Sequence, residues 1–151
     1  VNHYNAKQLK KISKLYAFNC LKRETFSFLA YGTLREGDYN HNYYGAGLKS
    51  TNKKSFVDNS SLWTHGPYPY LLKEEFQIRQ VLVEEIEFAN QSTAFEIIEM
   101  EIASGYQLGL IEKKLIFFWP DNSQTLSAFL NRPVIEISSG DWFDYHSTTS
   151  F

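Results

Sequence analysis

The stretch Phe26-Ser27-Phe28-Leu29-Ala30-Tyr31-Gly32-Thr33-Leu34-Arg35-Glu36-Gly37 limits the folds open to this chain more than any other. Its first half is apolar and aromatic, which predicts a buried β-strand. The run stops abruptly at Gly32, and a second glycine follows at Gly37. Lacking a Cβ, Gly32 permits backbone conformations closed to other residues and lets main-chain N–H groups approach a ligand closely. A strand feeding such a loop aims several unpaired N–H donors at one point. Carboxylate or carbonyl oxygens are the natural partners there.

The 151 residues fit one domain and can bury a core without disulfide or metal staples. The single Cys20 has no partner for an intramolecular disulfide, which points to a reducing compartment. No apolar run is long enough to span a bilayer, and no secretory signal pattern is present. The expectation is a cytoplasmic protein with no membrane partner. The formal net charge of −2 is unevenly spread, because residues 1–24 carry +5 and the remainder −7. That argues against a general nucleic-acid surface on the main domain. Aromatic residues make up 17 % of the chain, which suggests a β-rich core or an aromatic-lined pocket.

Leu9, Ile12, Leu15, Tyr16 and Leu21 recur at helical spacing among lysines, predicting an amphipathic helix over residues 5–22. A basic N-terminal extension over 1–24, packed on a domain at 25–151, follows. Its lysines are read as solvated, with a nucleic-acid or acidic-partner face as the alternative. Residues 46–57 and 61–65 read as two strands around a polar turn. In 66–72, Pro67 and Pro69 interrupt the pattern and suggest a rigid edge loop. Residues 80–88 alternate as a strand, and 90–104 read as a helix with Asn90 or Ser92 as its N-cap and Gly105 beyond its end. Tyr106 opens a strand-like run to Trp119, within which 114–119 read as a buried strand ended by Pro120, and 124–131 can form a short strand or helix. His41 sits among polar residues with no acid spaced for a triad. The other histidines (His3, His65 and His146) are scattered, so no metal-ligand cluster is expected.

Three stretches share a likeness. The first is Tyr31-Gly32-Thr33-Leu34-Arg35-x-Gly37 with Asn40-His41. The second is Ile98-Glu99-Met100-Glu101 followed by Tyr106, and the third is Ile137-x-x-Gly140-Asp141-Trp142. In this order, over roughly residues 26–142, they resemble the γ-glutamylcyclotransferase-like family, its γ-glutamylamine cyclotransferase branch included. Pro69–Leu72 stands where that family has a pocket-lining segment. Glu84 takes the place of a family glycine, and Glu85 keeps the acid beside it. Ile102 replaces the glycine after the family's catalytic acid, and Leu108 replaces an arginine.

The resemblance implies an α+β fold, a small mixed β-barrel with packed helices, and one polar pocket at its mouth. It implies an enzyme that needs no cofactor and cyclises a γ-glutamyl small molecule to 5-oxoproline, releasing an amine or amino acid. Glu101 matches the catalytic base, and Tyr31, Gly32, Thr33, Leu34 and Tyr106 match substrate-binding positions. Tyr106 walls the pocket, orients Glu101, or is a core tyrosine. Arg35 attracts an anionic substrate or faces solvent. The rival expectation is an inactive member of the fold, kept as a small-molecule-binding or interaction module.

Overall fold

The computed structural model describes residues 27–75 and 79–148. The expected basic helix over 5–22, the extension 1–24 and Cys20 lie outside the described residues. Among the described residues there are eight strands: β1 (Ser27–Ala30), β2 (Leu48–Asp58), β3 (Ser60–Thr64), β4 (Pro69–Lys73), β5 (Gln80–Phe88), β6 (Gln107–Ile111), β7 (Lys114–Phe118) and β8 (Ile135–Ile137). Four helices accompany them: α1 (Tyr39–Tyr44), α2 (Gln91–Ala103), α3 (Ser123–Leu130) and α4 (Trp142–Thr148).

The strands form a five-stranded sheet in the order β2-β5-β1-β7-β6 and a three-stranded sheet in the order β4-β3-β8. The fold is therefore mixed α+β, with two sheets and no closed barrel among the described residues, where a small mixed β-barrel was expected. They are joined where Leu72 bridges Trp119 and the Trp119 N–H donates to the Leu71 carbonyl at 2.9 Å. β1 is central, antiparallel to β5 and parallel to β7. This accounts for its nearly continuous apolar character, because a strand paired on both edges and covered on both faces has no polar side to show. Phe28 stacks on Phe88, with ring centroids 4.7 Å apart, and meets Phe117 edge-on.

α2 begins at Asn90, whose side chain accepts from the Thr93 N–H, and buries Ala94, Ile97 and Ile98 at i, i+3 and i+4. It ends before Gly105, which has φ +97. α3 occupies the ambiguous stretch at 124–131. It is capped by Asn122 and closed by Asn131 in the left-handed region.

Three local readings change in the structure. The run from Tyr106 to Trp119 is a hairpin whose second strand, β7, is the buried strand expected at 114–119, and it is turned by Glu112 and Lys113 at φ 50 and 68. Neither residue is the asparagine or glycine that usually marks such a turn. The strands expected at 46–57 and 61–65 exist as β2 and β3, yet they join different sheets across Asn59 alone. Residues 69–73 form strand β4 rather than a loop. Pro69 opens it at a sheet edge, the position that best tolerates a missing N–H.

The third motif ties the chain end to β5. The Leu82 N–H donates to the Gly140 carbonyl at 2.8 Å, and Trp142 is fully buried. Gly140 has φ +68, and a Cβ there would lie 2.0 Å from the Gln80 carbonyl oxygen. Backbone cannot yield as a side chain can. Gly140→Ala is expected to destabilise the fold by about 3 kcal/mol in urea denaturation. A loss below about 1 kcal/mol would contradict this close approach.

Candidate functional site

The C-terminal end of β1 opens into a cavity of about 530 Å³, within the range of about 300–1,000 Å³ usual for small-molecule sites. Tyr31, Gly32, Thr33, Leu34, Glu101 and Tyr106 all line it. These six are the site residues expected from the sequence, and the fold brings all of them to one cavity from the segment after β1, the last turn of α2 and the residue before β6.

The loop is shaped by three local contacts. The Arg35 N–H donates to the Gly32 carbonyl, the His41 N–H to the Thr33 carbonyl, and the Asn40 amide to the Thr33 hydroxyl (3.0, 3.0 and 2.7 Å). His41 Nδ1 lies 2.9 Å from the Leu34 carbonyl oxygen, so that nitrogen carries the proton and the ring braces the loop. Gly32 is required here for space, since a Cβ would meet the Pro69 ring at 2.6 Å. Among the described residues, the N–H groups of Gly32, Thr33 and Leu34 donate to no protein acceptor. Unused donors on a cavity wall are poised for ligand oxygens.

Arg35 does not face solvent and is not among the residues that line the cavity. It is 2 % exposed. Its Nε pairs with Glu84 at 2.5 Å, its Nη1 with Asp141 at 2.8 Å, and its guanidinium lies 3.9 Å above the Phe143 ring centroid. Glu84 also accepts from the Glu36 N–H at 3.2 Å and sits opposite Ala30 in the β1–β5 register. Asp141 accepts from the Phe143 and Asp144 N–H groups at the start of α4. Burial tends to raise the Asp141 pKa, but the hydrogen bond and charge of Arg35 outweigh it, and the net shift is downward. Trp142 Nε1 donates to Asp38 at 2.9 Å, and Asp38 accepts from the Tyr39 N–H at the start of α1. The loop is thus clamped at Arg35 and Asp38 by the third motif. Sequence reasoning missed this role, although Glu84 in place of glycine was a visible sign of a charge needing a partner. Glu85, its neighbour, pairs with Lys114 at 2.5 Å.

Glu101 sits in the last turn of α2, where its carbonyl accepts from the Ser104 and Tyr106 N–H groups. The residue keeps some exposure through the open cavity, while its carboxyl lies deep among protein atoms. That burial pushes its pKa from 4.5 up to about 8. The negative end of the α2 dipole acts in the same sense. Glu99, two positions earlier, is exposed.

Tyr106 donates its hydroxyl to the Pro69 carbonyl at 2.6 Å, and its ring stacks on Tyr70 at 4.5 Å. Tyr31 donates to the Phe117 carbonyl at 2.6 Å. Burial, followed by nearby charge including that of Glu101, holds both phenols well above their usual pKa. They act as neutral walls. Ile102 and Leu108, the departures from the motif, pack with the core and do not line the cavity. Among the described residues, no group of three or more potential ligands could hold a metal ion, and no helix is long and apolar enough to cross a membrane.

No family model and no curated protein matches the sequence. Solved structures do share the fold. The uncharacterized protein PH0828 from Pyrococcus horikoshii is 24 % identical over 82 % of this chain and 94 % of its own, with a TM-score of 0.61. The protein c4763, specific to uropathogenic E. coli, is 20 % identical over 85 % of this chain and all of its own, also with a TM-score of 0.61. The fold also matches 8 % of the K. lactis urea amidolyase chain, at 12 % identity over 82 % of this one, with a TM-score of 0.60. At these identities the likeness establishes a shared fold.

Two outcomes check the site's energetics. Arg35→Ala leaves Glu84 buried without its cation and should lower stability by about 3–5 kcal/mol in urea denaturation. A loss below about 1 kcal/mol would mean that the clamp does not hold. Folded Glu101 keeps its proton to about pH 8, whereas the unfolded chain releases it near 4.5. The folded state therefore loses stability as pH rises through that window. Glu101→Gln, neutral throughout, should gain on the order of 2–4 kcal/mol over the parent between pH 4.5 and 8. Parallel stability curves for the two proteins would rule out a buried, unpaired carboxyl.

Proposed function

We propose that this chain is a γ-glutamylcyclotransferase-like enzyme that closes a γ-glutamyl group into 5-oxoproline and releases the attached amine. The observation that carries this reading is the placement of Glu101. A carboxyl with a pKa near 8 shares one cavity with the unused N–H donors of Gly32, Thr33 and Leu34.

The chemistry asks for little more. The substrate's α-ammonium docks beside Glu101, and its positive charge favours ionised carboxylate in a site that otherwise resists it. Glu101 then takes one ammonium proton, and the free amine attacks the γ-carbonyl carbon of the same molecule. The carbonyl oxygen gathers negative charge, which loop N–H groups already in place stabilise without reorganisation. The new ring C–N bond remains, Glu101 passes its proton to the departing nitrogen as the original amide C–N bond breaks, and the ring nitrogen gives its second proton through the regenerated carboxylate to the released amine, which leaves as an ammonium. Nucleophile and electrophile belong to one molecule, so no covalent enzyme intermediate is needed, and holding the substrate folded supplies much of the acceleration.

A second reading is a binding module without turnover. It is favoured by the occurrence of this fold as a small part of the K. lactis urea amidolyase chain.

Release of 5-oxoproline from a panel of γ-glutamyl compounds separates the two. The expected result is turnover that falls about 10²–10⁴-fold in Glu101→Gln. The parent's kcat/KM should rise with pH up to about 8, as the base ionises. A well-folded protein that turns over none of the panel would exclude the enzyme reading. Equal rates in parent and Glu101→Gln would exclude Glu101 as the base.

A further inference from the structure

The cavity is asymmetric in chemistry. Its inner end holds Glu101 and the unused N–H donors of the Gly32–Leu34 loop, and its open end is aromatic. Tyr68 and Phe129 line the cavity yet remain 43 % and 53 % exposed, which puts both at its mouth. Neither ring is a loose surface residue. Tyr68 lies 6.4 Å from His65, which lies at the same distance from Tyr70, and Tyr70 stacks on Tyr106. Phe129 leans on Trp119 at 5.1 Å and crosses the end of α2 above Gly105. A Cβ at Gly105 would come within 2.7 Å of the Phe129 ring, so that glycine makes room for it. Two braced aromatic side chains at a cavity mouth offer apolar surface suited to a flat or apolar group.

The charge inventory narrows what that group is. Among the described residues, Glu101 is the only lining residue with a formal charge, and no lysine or arginine lines the cavity. The loop donors are matched by the glutamyl α-carboxylate and the developing oxyanion. A leaving amino acid would bring a second carboxylate to an aromatic mouth with no cation among the described lining residues, and desolvating it there is unfavourable. Arg132 approaches His65 at 3.5 Å, but it is exposed and does not line the cavity. A surface guanidinium of this kind contributes little to holding an anion.

We propose that the group released is a neutral apolar or aromatic amine, its side chain seated between Tyr68 and Phe129, so that the substrates are γ-glutamyl amides of such amines. This rests on the cyclisation reading above.

The test compares kcat/KM for γ-glutamylbenzylamide, γ-glutamylmethylamide, γ-glutamylglycine and γ-glutamylputrescine, in the parent and in Phe129→Ala. The benzylamide should exceed both the glycine and putrescine conjugates by about 30-fold or more. Phe129→Ala should lower kcat/KM for the benzylamide about tenfold more than for the methylamide. A glycine or putrescine conjugate turned over as well as the benzylamide would overturn the leaving-group assignment and leave the cyclisation standing. Equal losses for benzylamide and methylamide in Phe129→Ala would overturn the seat at Phe129. No turnover of any of the four would overturn the cyclisation reading and this inference with it.

Discussion

The buried guanidinium of Arg35 is the constraint on which the cavity depends. A charge removed from water must be paired, and it finds one carboxylate on β5 and another at the start of α4. Glu84 lies at the end of the β1–β5 ladder and Asp141 at the chain's last turn into helix. Between them they admit one path for the loop that leaves β1. Phe143 covers the guanidinium from above, and the Trp142–Asp38 hydrogen bond fixes the far end of the same loop. Motifs about a hundred residues apart in the chain are thereby one structural unit.

That rigidity lets the site hold groups in conditions they would not choose. Among the described residues, the loop N–H donors at Gly32, Thr33 and Leu34 have no protein acceptor, and the buried Glu101 carboxyl has no cation beside it. Each would be more comfortable in water. Such groups persist only where surrounding packing over-determines their positions, and they are characteristic of binding and catalytic sites. In this cavity the two kinds of discomfort are complementary. On the proposed reading, an ammonium relieves the carboxyl and carboxylate or carbonyl oxygens relieve the donors, so a zwitterionic amino-acid head group would answer both at once.

Much of this was legible along the chain. β1 announced itself through a short apolar run stopped by glycine, and α2 through Asn90, an apolar stripe and Gly105. The six expected site residues lie on one cavity because spacing from Glu101 to Tyr106 is local: one helix end and one turn set it. Other features were illegible for physical reasons. The Glu112–Lys113 turn adopts positive φ without glycine or asparagine, so the hairpin pairing outweighs local preference. The split of β2 and β3 between sheets is decided by partners far away in sequence, and the bend at Asn59 is too short to announce it. Pro69 heads a strand because its edge position needs no donor.

The amino-acid sequence by itself determined the element types, the loop, and the identity of the acid at residue 101, since these rest on periodicity, caps and glycine placement. Only the tertiary structure decided that the strands divide into two sheets, and that Arg35 is a buried clamp rather than a surface charge. It also decided the chemical character of Glu101. A carboxyl is defined chemically by its surroundings, and those surroundings come from strands and helices distant in the chain. Periodicity can say which face of a helix a residue occupies, but the loss of water that raises its pKa belongs to the assembled fold.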